Sequence, residues 1–370
     1  MDIQPLMDLV GAEPDPDFGR LETVLRRAGE PDRVPFIELF ADQPIMEAIL
    51  GRPLWPRRLE GRQAQTHYLD ALIEYHLRMG YDYVGVGGLM GFPRKENPSA
   101  SDTAELSMGE RHWYNAEVVT IANADDLANY AWPEPAKIDL FPLRYVAEHL
   151  PRGMRIIGMG PGGVLENVMW LVGYEGLSFA LVDDFPFVER VFQEVGSRLL
   201  GCVERMLEVP EVAAVFLGDD MGFKTQTMIS PDELRELVFP WHRRMVVAAH
   251  RAGRPFLLHA CGNLTAVMED IIDIGFDAKH SFEDVIEPVT VAKQRWGDRI
   301  ALLGGADVDF LCRASEAQIR EYVRRVLREC GPGGGYALGT GNSVANYIPA
   351  KNFLVMMEEG WHSATYPIHC

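Results

Sequence analysis

Cysteine is scarce: five in 370 residues, at positions 202, 261, 312, 330 and 370. Scattered and odd in number, they exclude a disulfide framework and point to a reducing compartment. Cys202, Cys312 and Cys330 fall in or beside helical patterns and read as inert thiols, and Cys370 reads as a mobile terminal one. Positive charge is short as well. Thirty-five Lys and Arg stand against 54 Asp and Glu, a net charge of −19. A phosphate backbone calls for a basic surface, so nucleic acid is excluded as a partner. No apolar run reaches the roughly 18 residues of a membrane span. The opening MDIQPLMDLV lacks the basic-then-apolar layout of a secretory signal. The expectation is an acidic, soluble, cytoplasmic protein. P-loop, G-x-S-x-G and H-E-x-x-H patterns are also missing.

What is present is a regular alternation. Short β-branched runs at 33–39, 82–88, 155–160, 213–220, 255–261, 278–284, 299–305 and 334–342 read as strands. Helical patterns lie between them, at 43–50, 64–79, 164–183, 186–208, 230–253, 264–275 and 315–331. Ser230 followed by proline marks a helix start. Strands alternating with helices give a parallel sheet with helical crossovers, and about eight such units predict a (β/α)8 barrel. An open doubly wound sheet is the alternative. Residues 1–32 are then an N-terminal extension, and 33–370 a single barrel domain with long loops after the early strands. The stretch ELSMGERHWYNAEVV (105–119) reads as a hairpin, with RHWYN as a lid, a dimer contact or plain packing.

In a barrel the chemistry sits at the carboxyl ends of the strands. Those ends are polar here: Glu38; Asp219 and Asp220; His259 and Cys261; His280, Glu283 and Asp284; Asp307 and Asp309; Thr340 and Asn342. Asp309 and Ser315 read as helix caps, whereas Asp219 and Asp220 read equally as caps or as functional acids. In FLLHACGNL, alternation puts His259 and Cys261 on one side of a strand. An imidazole with a thiolate suits zinc, and a packed core pair is the competing reading. Glu283 and Asp219 are candidates for a third ligand, with Asn342 a weaker one. GMGPGG (158–163) matches G-x-G-x-x-G, but two helical stretches separate it from the next strand, so it reads as a glycine-rich loop at the barrel mouth, with Gly160 near substrate. GTGN (339–342) and Gly304-Gly305 follow strands where barrels bind phosphate, or else relieve crowding.

The stretches RVPFIELFADQPIMEAILG, GDDMGFKTQTMISPDEL, FLLHACGNL, KHSFEDVIEPV, RIALLGGADVDFL and GGYALGTGNSVANYIPAKNF resemble the uroporphyrinogen decarboxylase superfamily over roughly residues 30–360. The resemblance implies a (β/α)8 barrel, often a homodimer. It lies nearer the cobamide-dependent methyltransferases, which use zinc on a His-x-Cys pair and a later cysteine to activate a thiol against a methyl-corrinoid protein. Two departures stand out. The arginine-rich stretch of the decarboxylases is replaced by the acidic ELFADQ, so recognition of a polycarboxylate is not expected. The later cysteine is missing, and Thr340, Gly341 or Asn342 occupies its region.

The reading implied is a methyltransferase-like enzyme acting between a small methylated substrate or thiol and a corrinoid, free or on a partner protein. His259, Cys261 and Glu283 would hold zinc. Asp219, Asp220, Glu283 and Asn342 would be catalytic, and Glu38, Gly160, Lys224, His280 and Thr340 would bind substrate. A metal-free lyase or decarboxylase of a small acid, with Lys224 or Arg33 on the carboxylate, is one rival. A non-enzymatic corrinoid- or tetrapyrrole-binding protein is the other.

Overall fold

The structure is a computed structural model and describes residues 3–56, 59–96, 98–112 and 118–369. Nine strands are found among them: β1 Tyr83–Val86, β2 Ser99–Ser101, β3 Glu110–His112, β4 Arg155–Met159, β5 Val212–Gly218, β6 Phe256–His259, β7 Ala278–His280, β8 Ala301–Leu303 and β9 Tyr336–Ala337. Seven form one parallel sheet in the order β1-β4-β5-β6-β7-β8-β9, each neighbour the next in sequence apart from the small β2–β3 hairpin. The predicted first strand, 33–39, pairs only through isolated bridges, Arg33 with Thr365 and Phe36 with Leu338, and just past it Ala41 bridges to Val344. That segment is the eighth member and curls the sheet into a (β/α)8 barrel.

One seam differs from the rest. Between Glu38 and β1, the Tyr83 hydroxyl accepts from the Glu38 amide at 2.9 Å and donates to its carbonyl at 3.0 Å. A side chain there satisfies backbone groups that a neighbouring strand satisfies elsewhere.

The helices follow from their sequences. Glu316–Cys330 buries Ile319, Tyr322, Val323, Val326, Leu327 and Cys330, a 3.6-residue stripe, and opens on a Ser315–Gln318 capping box. Asp307 rather than Asp309 caps the preceding short helix, accepting the Phe310 N–H at 2.9 Å. The helix expected over 230–253 starts at Ser230 with a capping box to Glu233. It then passes through a π-turn, Leu234–Val238, before Phe239–Arg251. Pro240 explains the interruption, since it has no N–H for the ladder.

The hairpin expected within 105–119 starts earlier: β2, Ser99–Ser101, pairs with β3, Glu110–His112, so its first arm lies ahead of the expected stretch, and Trp113, Tyr114 and Asn115 lie outside the described residues. Residues 3–32 pack under the amino ends of the strands: Phe18 N–H donates to Gly153 O, and Gly333 N–H to Glu30. Among the described residues no helix is long and apolar enough to cross a membrane.

Candidate metal centre

His259 ends β6 in register with Gly218 of β5 and His280 of β7. Register partners in a parallel sheet share a face, so the two imidazoles meet: Nδ1 to Nδ1 is 2.8 Å. Beyond the strand, Cys261 brings Sγ to 3.4 Å from His259 Nε2. Asp220, two residues past the end of β5, places Oδ1 3.4 Å from the same nitrogen and accepts the Cys261 N–H at 2.7 Å. Asp220, His259 and Cys261 thus have ligand atoms all within 4.8 Å of one another, the one such set among the described residues. Tetrahedral zinc at ordinary Zn–S, Zn–N and Zn–O lengths has ligand–ligand edges of about 3.4–3.6 Å. Both separations from Nε2 match that edge. Asn342, in the region that the later cysteine would occupy, donates from Nδ2 to Cys261 Sγ at 3.1 Å.

Burial, and then the Asp220 charge, push the Cys261 thiol well above its ordinary pKa. A cation in the cluster inverts that preference, because a coordinating thiol is deprotonated outright. Burial, then the charges of Asp220 and Asp219, push Glu166 up as well. Burial lowers Lys279 to about 8, and its ammonium donates to Ser281 O at 2.7 Å.

The third ligand is where the sequence and the structure part. Asp219 is fully buried. Its carboxylate accepts the N–H groups of Val164, Leu165 and Glu166 at 2.8, 3.3 and 3.1 Å, and lies 2.7 Å from His242 Nε2. It caps helix Val164–Val172 from another strand, with both carboxylate oxygens engaged away from the cluster. The same contact disposes of the dinucleotide reading of GMGPGG: the anion at that helix start is the chain's own aspartate. A Cβ on Gly163 would come within 2.0 Å of Asp219 Cβ, so the glycine serves this approach. Glu283 is half-buried, pushed up by burial and by Asp307 and Asp220, and falls outside the ligand set.

A cavity of about 880 Å³ opens on the cluster. Glu38, Gly160, Glu166, Asp220, His259 and Asn342 line it with Tyr75, Tyr81, Tyr83, Trp55 and Trp170. His280 and Thr340, expected to touch substrate, are fully buried behind His259 and do not line it. Thr340 donates to Glu38 and accepts from His280 Nε2 at 2.9 Å. Lys224 is exposed on the turn closed by Gly222 and Thr227. Arg33 sits at the opposite end of the barrel, beside Asp82 and over Trp361. Neither cation of the lyase reading is at the cavity, and among its described lining residues there is no Lys or Arg. Gly304, Gly339 and Gly341 relieve crowding, each with a virtual Cβ near 2 Å from a backbone oxygen: 2.2, 1.8 and 2.2 Å.

Glu166, His242 and Lys279 were not singled out by sequence. Glu166 carried one available signal, an acid in the first turn after a strand-end glycine loop.

A (β/α)8 barrel with thiol, imidazole and carboxylate gathered at its carboxyl end defines a class of enzyme-like scaffold. Residues 143–360, more than half of the chain, match the uroporphyrinogen decarboxylase (URO-D) family, and the chain belongs to it. No curated protein matches it in sequence. A methyltransferase from Methanosarcina mazei shares the fold at TM-score 0.65, with 18% identity over 93% of this chain and 97% of that one. The pneumococcal virulence factor StrH, at TM-score 0.39 and 12% identity over 80% of each chain, carries no argument. The same holds for rutinosidase from Aspergillus niger, at 0.34 and 12% over 92% and 88%.

Proposed function

We propose that the chain is a methyltransferase that moves a methyl group between a small methylated compound or thiol and a corrinoid, with zinc held by Asp220, His259 and Cys261. The observation that carries this reading is the ligand set beside an open cavity that Asp220 and His259 line, with both separations from His259 Nε2 fitting an edge of tetrahedral zinc. Three protein ligands leave a fourth position for a substrate atom. When bound, zinc acts as a Lewis acid and keeps a coordinated thiol deprotonated near neutral pH.

The chain's own residues do the rest. The Asn342 amide donates toward Cys261 Sγ and offsets negative charge there. The Cys261 amide holds the Asp220 carboxylate in place. Glu166, its carboxyl pushed up by burial and by the charges of Asp220 and Asp219, stands at the cavity wall as the candidate acid.

Two further features support the reading. The described cavity lining has no cation to grip a carboxylate, which disfavours decarboxylation. Large apolar side chains are exposed on segments that follow strand ends: Phe40, Trp55, Phe179, Phe223, Val285 and Tyr347. Phe40 and Trp55 among them line the cavity, and exposed apolar surface at a site mouth fits a docking protein that carries the corrinoid. The proposed assembly is a homodimer, which the solution mass decides.

The test is metal content after anaerobic, chelator-free purification, with transfer of methyl groups to cob(I)alamin assayed across methyl ethers, methylamines and methyl thioethers. Near-stoichiometric zinc, lost together with transfer in His259→Ala and Cys261→Ala, is expected. Transfer that survives both substitutions overturns the assignment.

A further inference from the structure

A histidine ligates a metal only through a nitrogen that carries a lone pair. Which nitrogen that is for His259 depends on residues behind it.

His280 Nε2 lies 2.9 Å from the carbonyl oxygen of Thr340. A carbonyl has no proton to give, so the proton sits on His280 Nε2. The neutral ring then presents a lone pair at Nδ1, facing His259 Nδ1 at 2.8 Å. His259 must supply the proton of that bond. Its Nε2 is left bare, 3.4 Å from both Cys261 Sγ and Asp220 Oδ1. The reverse arrangement, with His280 donating to His259, would put an N–H on Nε2 and leave nothing for a cation.

The backbone is built around this contact. Gly304 has φ +71°, and a Cβ there would lie 2.6 Å from His280 Nε2 and 2.2 Å from the Thr340 oxygen. Any side chain at 304 would part the pair. Thr340 is in turn pinned by Glu38, which accepts its amide N–H at 2.9 Å and meets its hydroxyl. The edge of the Phe216 ring closes the other side of His280, 5.9 Å away at 83°.

We propose that His280, braced by Thr340 and Glu38, is a positioning residue that fixes the ring plane and tautomer of His259 so that Nε2 meets the metal unprotonated. This rests on the zinc reading above. It moves three residues read from sequence as substrate contacts into the support of one ligand. Partners of this kind are worth about 10–100-fold in metal affinity.

The full-length chain is titrated with zinc against a chromophoric chelator, and its cobalt(II) form is followed by visible absorption. His280→Phe keeps a flat ring and loses the acceptor, whereas His280→Asn keeps an acceptor oxygen near the position of Nδ1. The expected result is about 10–100-fold weaker zinc in H280F with most of the affinity restored in H280N, and a cobalt spectrum altered in H280F alone. In the unsubstituted apo chain, 15N labelling of histidine is expected to show His259 as the Nδ1–H form, a reading that needs no variant to fold. Zinc bound as tightly by H280F as by the parent, or His259 found as the Nε2–H form, overturns the inference. If zinc is lost in Cys261→Ala yet unchanged in H280F, the metal reading stands and this one fails. A parent chain that takes up no zinc removes both.

Discussion

At the scale of single residues, the half of the site that lies along one strand was legible. Alternation placed His259 and Cys261 together, and they are together. The third ligand was not legible, because Asp219 and Asp220 are neighbours at the end of β5 and the direction of each depends on where the strand stops. The amide of Asp219 still pairs with His259 O, which turns its side chain to the helix and leaves Asp220 for the cavity. The assignment separates cleanly by mutation. Asp220→Asn is expected to weaken zinc by more than the about 10–100-fold that outer partners cost, while Glu283→Gln stays within a few-fold of the parent in the same chelator competition. Equal losses in both would put Glu283 back in the ligand set. Glu38 gives a pH prediction. Burial raises its carboxyl from 4.5 to about 8. The folded chain therefore keeps a proton that the unfolded chain releases near 4.5. Between those values stability falls as pH rises, fully present below the lower and lost through the upper. Glu38→Gln is expected to flatten urea-derived stability over that range by an amount on the order of a few kcal/mol. An unchanged slope would mean that the carboxyl is ionised in the barrel.

At the scale of elements, strand positions were legible because each barrel unit repeats the same local pattern, whereas the helices Phe141–His149, Val289–Trp296 and Ala350–Ser363 were not read and the helix expected over 164–183 breaks at Gly173. What also escaped were joints between elements that no period reports. The Tyr83 hydroxyl at the open seam is one. The helix Val164–Val172 capped from β5 is another. That cap makes a stability prediction with no bearing on metal. Asp219→Ala strands three amides and the partner His242, a loss of the buried-network kind that costs about 3–5 kcal/mol. Gly163→Ala forces a Cβ to within 2.0 Å of Asp219 and is expected to cost a similar amount through overpacking. Denaturant midpoints check both. The double variant Gly163→Ala, Asp219→Ala is expected to lose clearly less than the sum, since the two substitutions remove and obstruct the same contact. Strict additivity would mean that helix and strand are stabilised independently.

At the scale of the whole molecule, composition and alternation made the barrel visible, but gave residues 1–32 no role beyond an extension. The structure seats residues 3–32 at the end of the barrel away from the metal centre. Leu6, Leu21, Val24 and Leu25 are buried there. Arg20 bonds Asp82, which is 1% exposed just before β1, at 3.1 Å. Burial raises the Asp82 carboxyl to about 6 despite the Asp17 amide and the charges of Arg33 and Arg20. Each fully buried aliphatic side chain stabilises by about 1.5–3 kcal/mol, and removing one partner from a buried charge costs up to about 3–5 kcal/mol, less here because Arg33 and the Asp17 amide remain beside Asp82. Those sums rival the whole stability of a typical fold. Deleting residues 1–32 is therefore expected to lower the denaturant midpoint sharply or leave the chain insoluble, and Arg20→Ala to do so in part. Zinc affinity in the soluble Arg20→Ala protein should match the parent, because the substitution sits at the amino ends of the strands and the ligands at the carboxyl ends. A truncated chain that melts like the parent would make the extension a detachable arm. A zinc affinity that falls with Arg20→Ala would instead couple the two ends of the barrel through the β-strands between them.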